Sequence, residues 1–258
     1  MDHNYHDLFD LSGRVLIVTG GTGHLGREIS KGLAGFGAHV IAVGRNPERF
    51  VELQVPNIEC VMCDVQDEAA FAAVVADARK HHGRIDGLVN NANSAKRETW
   101  DELDAGAWRA GLDATLTHYF TCTKVVANHL LDAGHGAIVN NASIFAFVAP
   151  NAGMYPDGVR GPSAHHAAAK AGILQLTRYL AAQWAARGIR VNAVSPGWFP
   201  QKRGPERPDL MREVTSRIPM GRIGRPLELA GAVIFLMSDA ASYVTGQNLV
   251  VDGGYSLW

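Results

Sequence analysis

A doubly wound α/β fold built on a parallel sheet is predicted by three features of this 258-residue chain. Short, β-branched apolar runs alternate with longer amphipathic ones from end to end, the pattern of strands joined by crossover helices. A glycine-rich turn, Thr19-Gly20-Gly21-Thr22-Gly23-His24-Leu25-Gly26, separates the first strand-like run from the first helical one. Two long segments leave the carboxyl ends of later strands, where open α/β sheets hold their ligands.

The elements follow in order. Residues 14–19 (RVLIVT) read as the first strand and 24–36 as the first helix. Residues 39–43 form the second strand and 57–64 the third, followed by an Ala-rich helix over 67–81 and a fourth strand over 85–90. A long helical stretch, 104–133, precedes a strand at 137–141. Residues 163–186 make a strong helix before a strand at 189–194, residues 225–237 are helical behind Pro226, and 248–251 close the sheet. No repeat, linker or low-complexity stretch interrupts this order, so residues 1–258 are read as one domain. The segment 145–164 is rich in Pro and Gly (Pro150, Gly153, Pro156, Gly158, Gly161, Pro162) and too long for an ordinary β–α connection. It is expected to be an insertion walling the pocket. The segment 198–219, rich in Pro and charge, is expected to be a substrate lid.

Composition excludes several classes of function. A formal net charge of −1 leaves no global field for nucleic acid or an anionic membrane. The apolar runs are far shorter than a membrane span, and residues 1–10 carry no apolar core of a secretory signal. Three cysteines fit a reducing compartment, so a cytoplasmic protein is expected. Cys60 and Cys63 form a C-x-x-C inside a strand-like run; zinc needs two further ligands at matching spacing, so they are read as core residues and no metal is expected.

Glycines in the 19–26 turn permit a tight bend, a close approach of backbone to a pyrophosphate, and close packing of helix on strand. The phosphates would then meet free N–H groups at the helix N-terminus. A mere tight turn has no need of four glycines in seven residues. Cofactor contacts are therefore assigned to Gly20, Thr22, Gly23, His24, Leu25 and Gly26. The second strand ends Val43-Gly44-Arg45. A carboxylate there would accept the adenosine ribose hydroxyls of NAD; Arg45 instead suits a 2′-phosphate, which favours NADP(H) over NAD(H). The alternative reading of Arg45 is a solvated surface arginine. Asp64 is placed to accept from the adenine amine, and Asn91 and Ala92 end the fourth strand beside the cofactor.

With these features in order, the chain resembles the compact branch of the short-chain dehydrogenase/reductase family over nearly its whole length. The matching motifs are the Thr19–Gly26 turn, Asp64-Val65, Asn90-Asn91-Ala92, Ile138-Val139-Asn140-Asn141-Ala142-Ser143 and Ala169-Lys170-Ala171-Gly172. They continue with Arg190-Val191-Asn192-Ala193-Val194-Ser195-Pro196-Gly197 and Thr245-Gly246-Gln247-Asn248-Leu249-Val250-Val251-Asp252-Gly253-Gly254. The resemblance implies a Rossmann-like domain with a seven-stranded parallel sheet and a homo-oligomer, tetramer or dimer. It also implies NAD(P) contacts that include Val65, Lys170, Pro196 and Gly197, and hydride transfer between nicotinamide and a hydroxyl or carbonyl carbon.

That family works with an Asn, a Ser, a Tyr and a Lys. Ser143 matches the serine that holds the substrate oxygen, and Lys170 the lysine that binds the nicotinamide ribose and lowers the neighbouring pKa. The asparagine position reads Thr115 and the tyrosine position reads His166. Asn93 stands where a glycine is usual, and in the first turn the middle glycine has moved to Gly23, with His24 in its place. Histidine titrates near 6.5 without help, and a lysine one turn away lowers it further, so His166 suits a base better than an acid. Thr115 is expected to cap or pack. Tyr155 lies twelve residues after Ser143, near the family's serine–tyrosine spacing, but lacks the lysine four residues on; it is expected over the pocket, with its hydroxyl toward substrate. Gln201, Lys202, Arg203, Arg207 and Arg212 are read as solvated lid charges, or alternatively as holders of an anionic or polyhydroxylated substrate. Three functions follow: an NADP(H)-dependent oxidoreductase using His166, a non-redox lyase, isomerase or cyclase on the same scaffold, or a catalytically silent nucleotide-binding subunit.

Overall fold

Residues Val15–Thr19 of the first strand are all buried, the signature of a parallel strand covered on both faces rather than of one alternating between core and solvent. A computed structural model of the chain describes residues 4–94, 96–156, 159–200 and 208–257. Seven strands, β1 (Val15–Thr19), β2 (His39–Gly44), β3 (Ile58–Met62), β4 (Gly87–Asn90), β5 (Gly136–Asn141), β6 (Ile189–Pro196) and β7 (Asn248–Val251), form one sheet in the order 3-2-1-4-5-6-7. Every neighbouring pair is parallel. The helices are α1 (His24–Gly35), α2 (Glu68–His82), α3 (Ala105–Leu112), α4 (His118–Ala133), α5 (Ala164–Trp184), α6 (Pro208–Ser216) and α7 (Pro226–Met237). Among the described residues, no helix is long and apolar enough to cross a membrane.

Side-chain alternation along the strands divides the core in two. Ile17, Ile41, Val43 and Ile138 pack with Phe71 and Val75 of α2, Val126 and Leu130 of α4, and Leu180 of α5. Leu16, Val18, Val40 and Val139 pack with Ile29 and Leu33 of α1 and with Leu229 and Val233 of α7. Strand order runs outward in both directions from the β1/β4 pair, so a crevice opens at their carboxyl ends, the usual ligand site of such sheets.

A buried polar chain fixes the helices that flank this crevice. The Asn90 carboxamide donates to Thr123 Oγ1 and to Asn140 Oδ1, each at 2.9 Å. Asn140 donates in turn to Thr177 Oγ1 at 2.9 Å, and that hydroxyl donates to the Ile173 carbonyl at 2.8 Å. The chain thereby ties α4, β4, β5 and α5 together, while Asn90 Oδ1 is buried without a hydrogen bond.

Several sequence expectations need correction. The third strand stops at Met62 rather than reaching 64, because Asp64 turns back to accept from Gln66 N at 3.1 Å. The helical stretch 104–133 is not uniform: a π turn over Asp113–Thr117 separates α3 from α4. The 198–219 segment is not only loop, since its described part contains α6, whose Leu210 and Val214 are buried. Cys63 is buried as expected, but Cys60 is only half-buried and is not a core residue.

Candidate active site

The glycines of the first turn meet neighbours that leave no space for a side chain. A Cβ on Gly26 would lie 2.1 Å from the Gly20 carbonyl oxygen and 2.7 Å from Asn91 Nδ2. Gly20 has φ +63°, and a Cβ there would press on the Ala92 backbone at 2.9 Å. Asn91 braces the turn, donating from Nδ2 to the carbonyls of Thr19 at 3.0 Å and Gly20 at 3.1 Å, while its Oδ1 accepts from Asn141 Nδ2 at 2.9 Å. The Thr19 hydroxyl accepts from the backbone N–H groups of Asn91 and Ala92. Helix α1 begins at His24 with Gly23 as N-cap and no side-chain cap, so its first N–H groups face the crevice with the positive end of the helix dipole. Leu25 turns inward and packs on the α1/α7 core. The Thr22 side chain lies over Gly44, where a Cβ would meet Thr22 Oγ1 at 2.2 Å.

Beyond Gly44, Arg45 extends to the crevice rim. Its Nη1 donates to Asp64 Oδ2 at 3.4 Å, with both side chains about half exposed. Val65 is buried in the core beneath, so only its backbone faces the crevice. On the far side, Pro196 ends β6, and a Cβ on Gly197 would strike Asp252 Cα at 2.7 Å. The backbones of β6 and β7 close together there, Gly197 N donating to the Val251 carbonyl at 3.0 Å.

Ser143 follows β5 and its Oγ accepts from Phe145 N at 3.2 Å, starting the turn Ile144–Ala146. Lys170, on α5, is wholly buried; its Nζ donates to the Asn141 carbonyl at 2.5 Å and stands 5.2 Å from the Tyr119 ring centroid. Burial lowers its pKa from 10.5 to about 7. One turn earlier, the His166 imidazole is pushed down to about 3, chiefly by burial and then by the charges of Lys170, Arg97 and His165. The lysine is therefore a secondary cause, and desolvation, which no local spacing announces, is the larger one. His165 points the other way: its Nε2 lies 2.9 Å from Glu98 Oε2, under Gly111 of α3.

Thr115 sits fully buried in the π turn, and its hydroxyl donates to Asn93 Oδ1 at 3.4 Å. It is packed, as expected, and has a polar partner besides. Two of the positions at which this sequence departs from the pattern it resembles, 93 and 115, thus meet in space. Loop 145–164 is strapped to the segment after β4 that carries Asn93. Glu98 N donates to Ser163 Oγ at 2.6 Å, Arg160 Nη1 to the Arg97 carbonyl at 2.9 Å, and Arg160 Nη2 to Glu102 Oε1 at 2.6 Å.

Comparison with known proteins decides the family. Residues 22–256 match the family model described as enoyl-(acyl carrier protein) reductase. The chain is 39% identical over 251 residues to cis-4-hydroxycyclohexanecarboxylate dehydrogenase of Sinomonas cyclohexanicum, covering 94% of this chain and 96% of that one. It is 35% identical over 264 residues to galactitol 2-dehydrogenase (L-tagatose-forming) of Cereibacter sphaeroides, covering 99% and 100%. The chain belongs to the short-chain dehydrogenase/reductase family. Among solved structures, gluconate 5-dehydrogenase from Burkholderia cenocepacia J2315, in complex with NADP and tartrate, superposes with a TM-score of 0.87 at 31% identity, covering 99% of this chain and 100% of that one. The relatives are dehydrogenases and reductases, so the frame is that of an oxidoreductase.

Within this short-chain dehydrogenase/reductase, Tyr155 has a packing environment. Its ring stands 6.2 Å from that of Trp198, which in turn stands 6.5 Å from Tyr255. It joins an apolar cluster of Ile144, Met154, Leu210, Val214 and Ile218, and burial raises its hydroxyl to about 12. Loop 145–164 and α6 therefore form one wall rather than two separate flaps. Of the lid charges, Arg212 is exposed and pairs with Asp209, while Gln201, Lys202, Arg203 and Arg207 lie outside the described residues.

Lys170 makes stability pH-dependent. Its folded pKa of about 7 lies below the ordinary 10.5, so between those values the unfolded chain binds a proton that the folded chain does not. The contribution of Lys170 to stability therefore rises with pH across that window and is flat below it, with a slope approaching about 1.4 kcal/mol per pH unit for one proton. Urea melts at pH 7, 8.5 and 10 are expected to show wild type gaining stability relative to Lys170→Met. Parallel pH profiles for the two would contradict the depressed lysine.

Proposed function

We propose that this chain is an NADP(H)-dependent oxidoreductase acting on a carbonyl/hydroxyl substrate, with His166 in the place of the family's tyrosine. The observation that carries this reading is the closed glycine cradle at Gly20, Gly26 and Gly44, lying at the same sheet edge as a desolvated imidazole and lysine. The free N–H groups of α1 suit a pyrophosphate. Asp64 and the Val65 backbone flank an adenine, Asn91 and Ala92 line the floor, and Lys170, Pro196 and Gly197 border the nicotinamide end. A bound nicotinamide supplies the hydride acceptor or donor. His166, neutral throughout the physiological range, takes the proton of a substrate hydroxyl at its imidazole nitrogen. The Ser143 hydroxyl donates to the same oxygen, and the charge of Lys170 favours the negative character that develops there. With a pKa of about 3, the imidazole carries a proton in on the order of one molecule in 10⁴ at pH 7, so alcohol oxidation is the better served direction. Incubation with NADP⁺ and a panel of polyols and hydroxy acids, or with NADPH and carbonyls, followed by absorbance, tests this. Binding of NADPH without consumption, while a substrate rearranges, would replace it with the second reading: an isomerase or lyase using His166 as a base, which the neutral imidazole also supports.

Cofactor choice rests on Arg45, whose nearest partner is a long contact to Asp64. A charge-assisted bond to a 2′-phosphate is worth about 1.5–3 kcal/mol. Arg45→Ala is therefore expected to weaken NADPH binding by roughly tenfold to a hundredfold and to leave NADH within about threefold. Equal losses for both nucleotides in fluorescence titrations would assign Arg45 to the surface instead.

A further inference from the structure

At the opposite, amino end of the sheet, three side chains from three elements converge. His39 opens β2, Glu59 lies on β3, and His82 is the last residue of α2. The β2/β3 register sets Glu59 beside Ile41, two residues beyond His39, so both side chains point to the face that α2 covers. Glu59 Oε2 stands 3.4 Å from His82 Nε2 and 3.8 Å from His39 Nε2. The two rings lie 4.0 Å apart between centroids, and all three ligand atoms fall within 4.8 Å of one another. His39 Nε2 is shielded from solvent and takes no hydrogen bond. Ordinary packing does not explain a buried ring nitrogen aimed at a carboxylate too distant to bond it. A tetrahedral zinc with bonds of about 2.0–2.1 Å holds its ligand atoms about 3.3 Å apart, close to the spacing seen.

We infer that His39, Glu59 and His82 form a binding site for a divalent transition-metal ion of the zinc type, with the fourth position left to water. Two imidazoles and one carboxylate are a borderline-soft set that suits Zn²⁺ better than Mg²⁺ or Ca²⁺. The site is open to solvent on one side, because the Glu59 side chain is about half exposed. Bound there, the ion clamps β2, β3 and α2 at the end of the sheet remote from the nucleotide crevice, so its effect is on stability rather than on turnover.

The test uses the full chain, freed of metal by chelator and titrated with ZnCl₂ and CoCl₂. One Co²⁺ per chain with the visible absorption of a tetrahedral N/O site is expected, as is a rise in Tm on adding Zn²⁺. His39→Ala and Glu59→Gln should each weaken Zn²⁺ by more than about tenfold, the loss that removal of a mere supporting outer ligand already produces. Glu59→Gln keeps the size of the side chain, so its result stands even if His39→Ala folds poorly. The double variant His129→Ala/His135→Ala, which removes histidines outside the cluster, should bind as wild type does. No stoichiometric binding, or equal affinity in wild type and Glu59→Gln, or loss of binding in the double variant would each overturn the site.

Discussion

Replacing His166 by alanine is expected to lower kcat by about 10² to 10⁴, the range that a positioned acid–base group contributes, while NADPH affinity stays within about threefold. The reasoning rests on separation within the site. Gly20 follows β1, Gly26 lies on α1 and Arg45 follows β2, whereas His166 lies in the first turn of α5. Lys170, which stays in place in the variant, is held by the Asn141 carbonyl rather than by the imidazole. His166→Tyr provides the complementary result. A phenol one turn from a buried ammonium is lowered from its usual pKa near 10, so turnover survives in that variant. Steady-state kinetics on the oxidation of an alcohol with NADP⁺, paired with NADPH fluorescence titration, separate the two effects. Unchanged kcat in His166→Ala would remove the imidazole from the reaction.

Gly26→Ala carries the second large effect. Its new methyl would lie 2.1 Å from a backbone oxygen and 2.7 Å from a carboxamide nitrogen. Neither neighbour yields cheaply, because Asn91 is held by bonds to Thr19, Gly20 and Asn141. Overpacking of this kind costs about 1–3 kcal/mol, occasionally more, and it moves the N–H groups that a pyrophosphate needs, so NADPH affinity should fall by more than about tenfold. Gly35→Ala on the same helix is the control. No atom lies within 4 Å of its Cβ position, and alanine there is expected to be neutral or slightly stabilising. Urea melts and nucleotide titration of both variants check the contrast; similar behaviour of the two would refute the steric account.

Strands β1, β2 and β4 were legible because their apolar runs are continuous, with Gly20 and Gly44 marking the ends of the first two, all local signals. The nucleotide cradle was legible for the same reason. The π turn at Asp113–Thr117 was not, since its i→i+5 geometry leaves no mark on a helical period. Its link to Asn93 joins residues 22 apart in the chain. Both departures were visible singly, and only the fold shows that they touch. Helix α6 leaves a local signal in the sequence, its buried Leu210 and Val214 standing one turn apart. The spacing of Tyr155 from Ser143 was a local signal, whereas the Trp198 ring beside it comes from beyond β6 and leaves no mark near Tyr155 in the sequence. Arg97 beside His166 is likewise a product of tertiary folding alone.

The asparagine–threonine chain through the core has an evolutionary consequence. Apolar contacts are non-directional and allow helices to slide as their side chains change, but hydrogen bonds of 2.9 Å do not. Because Thr177 anchors α5 to the sheet two turns beyond Lys170, mutation can exchange the residue at 166 without shifting the platform on which it stands. The same scaffold can in that way try a new proton carrier one substitution at a time, with the rest of the machine staying in alignment during the trial.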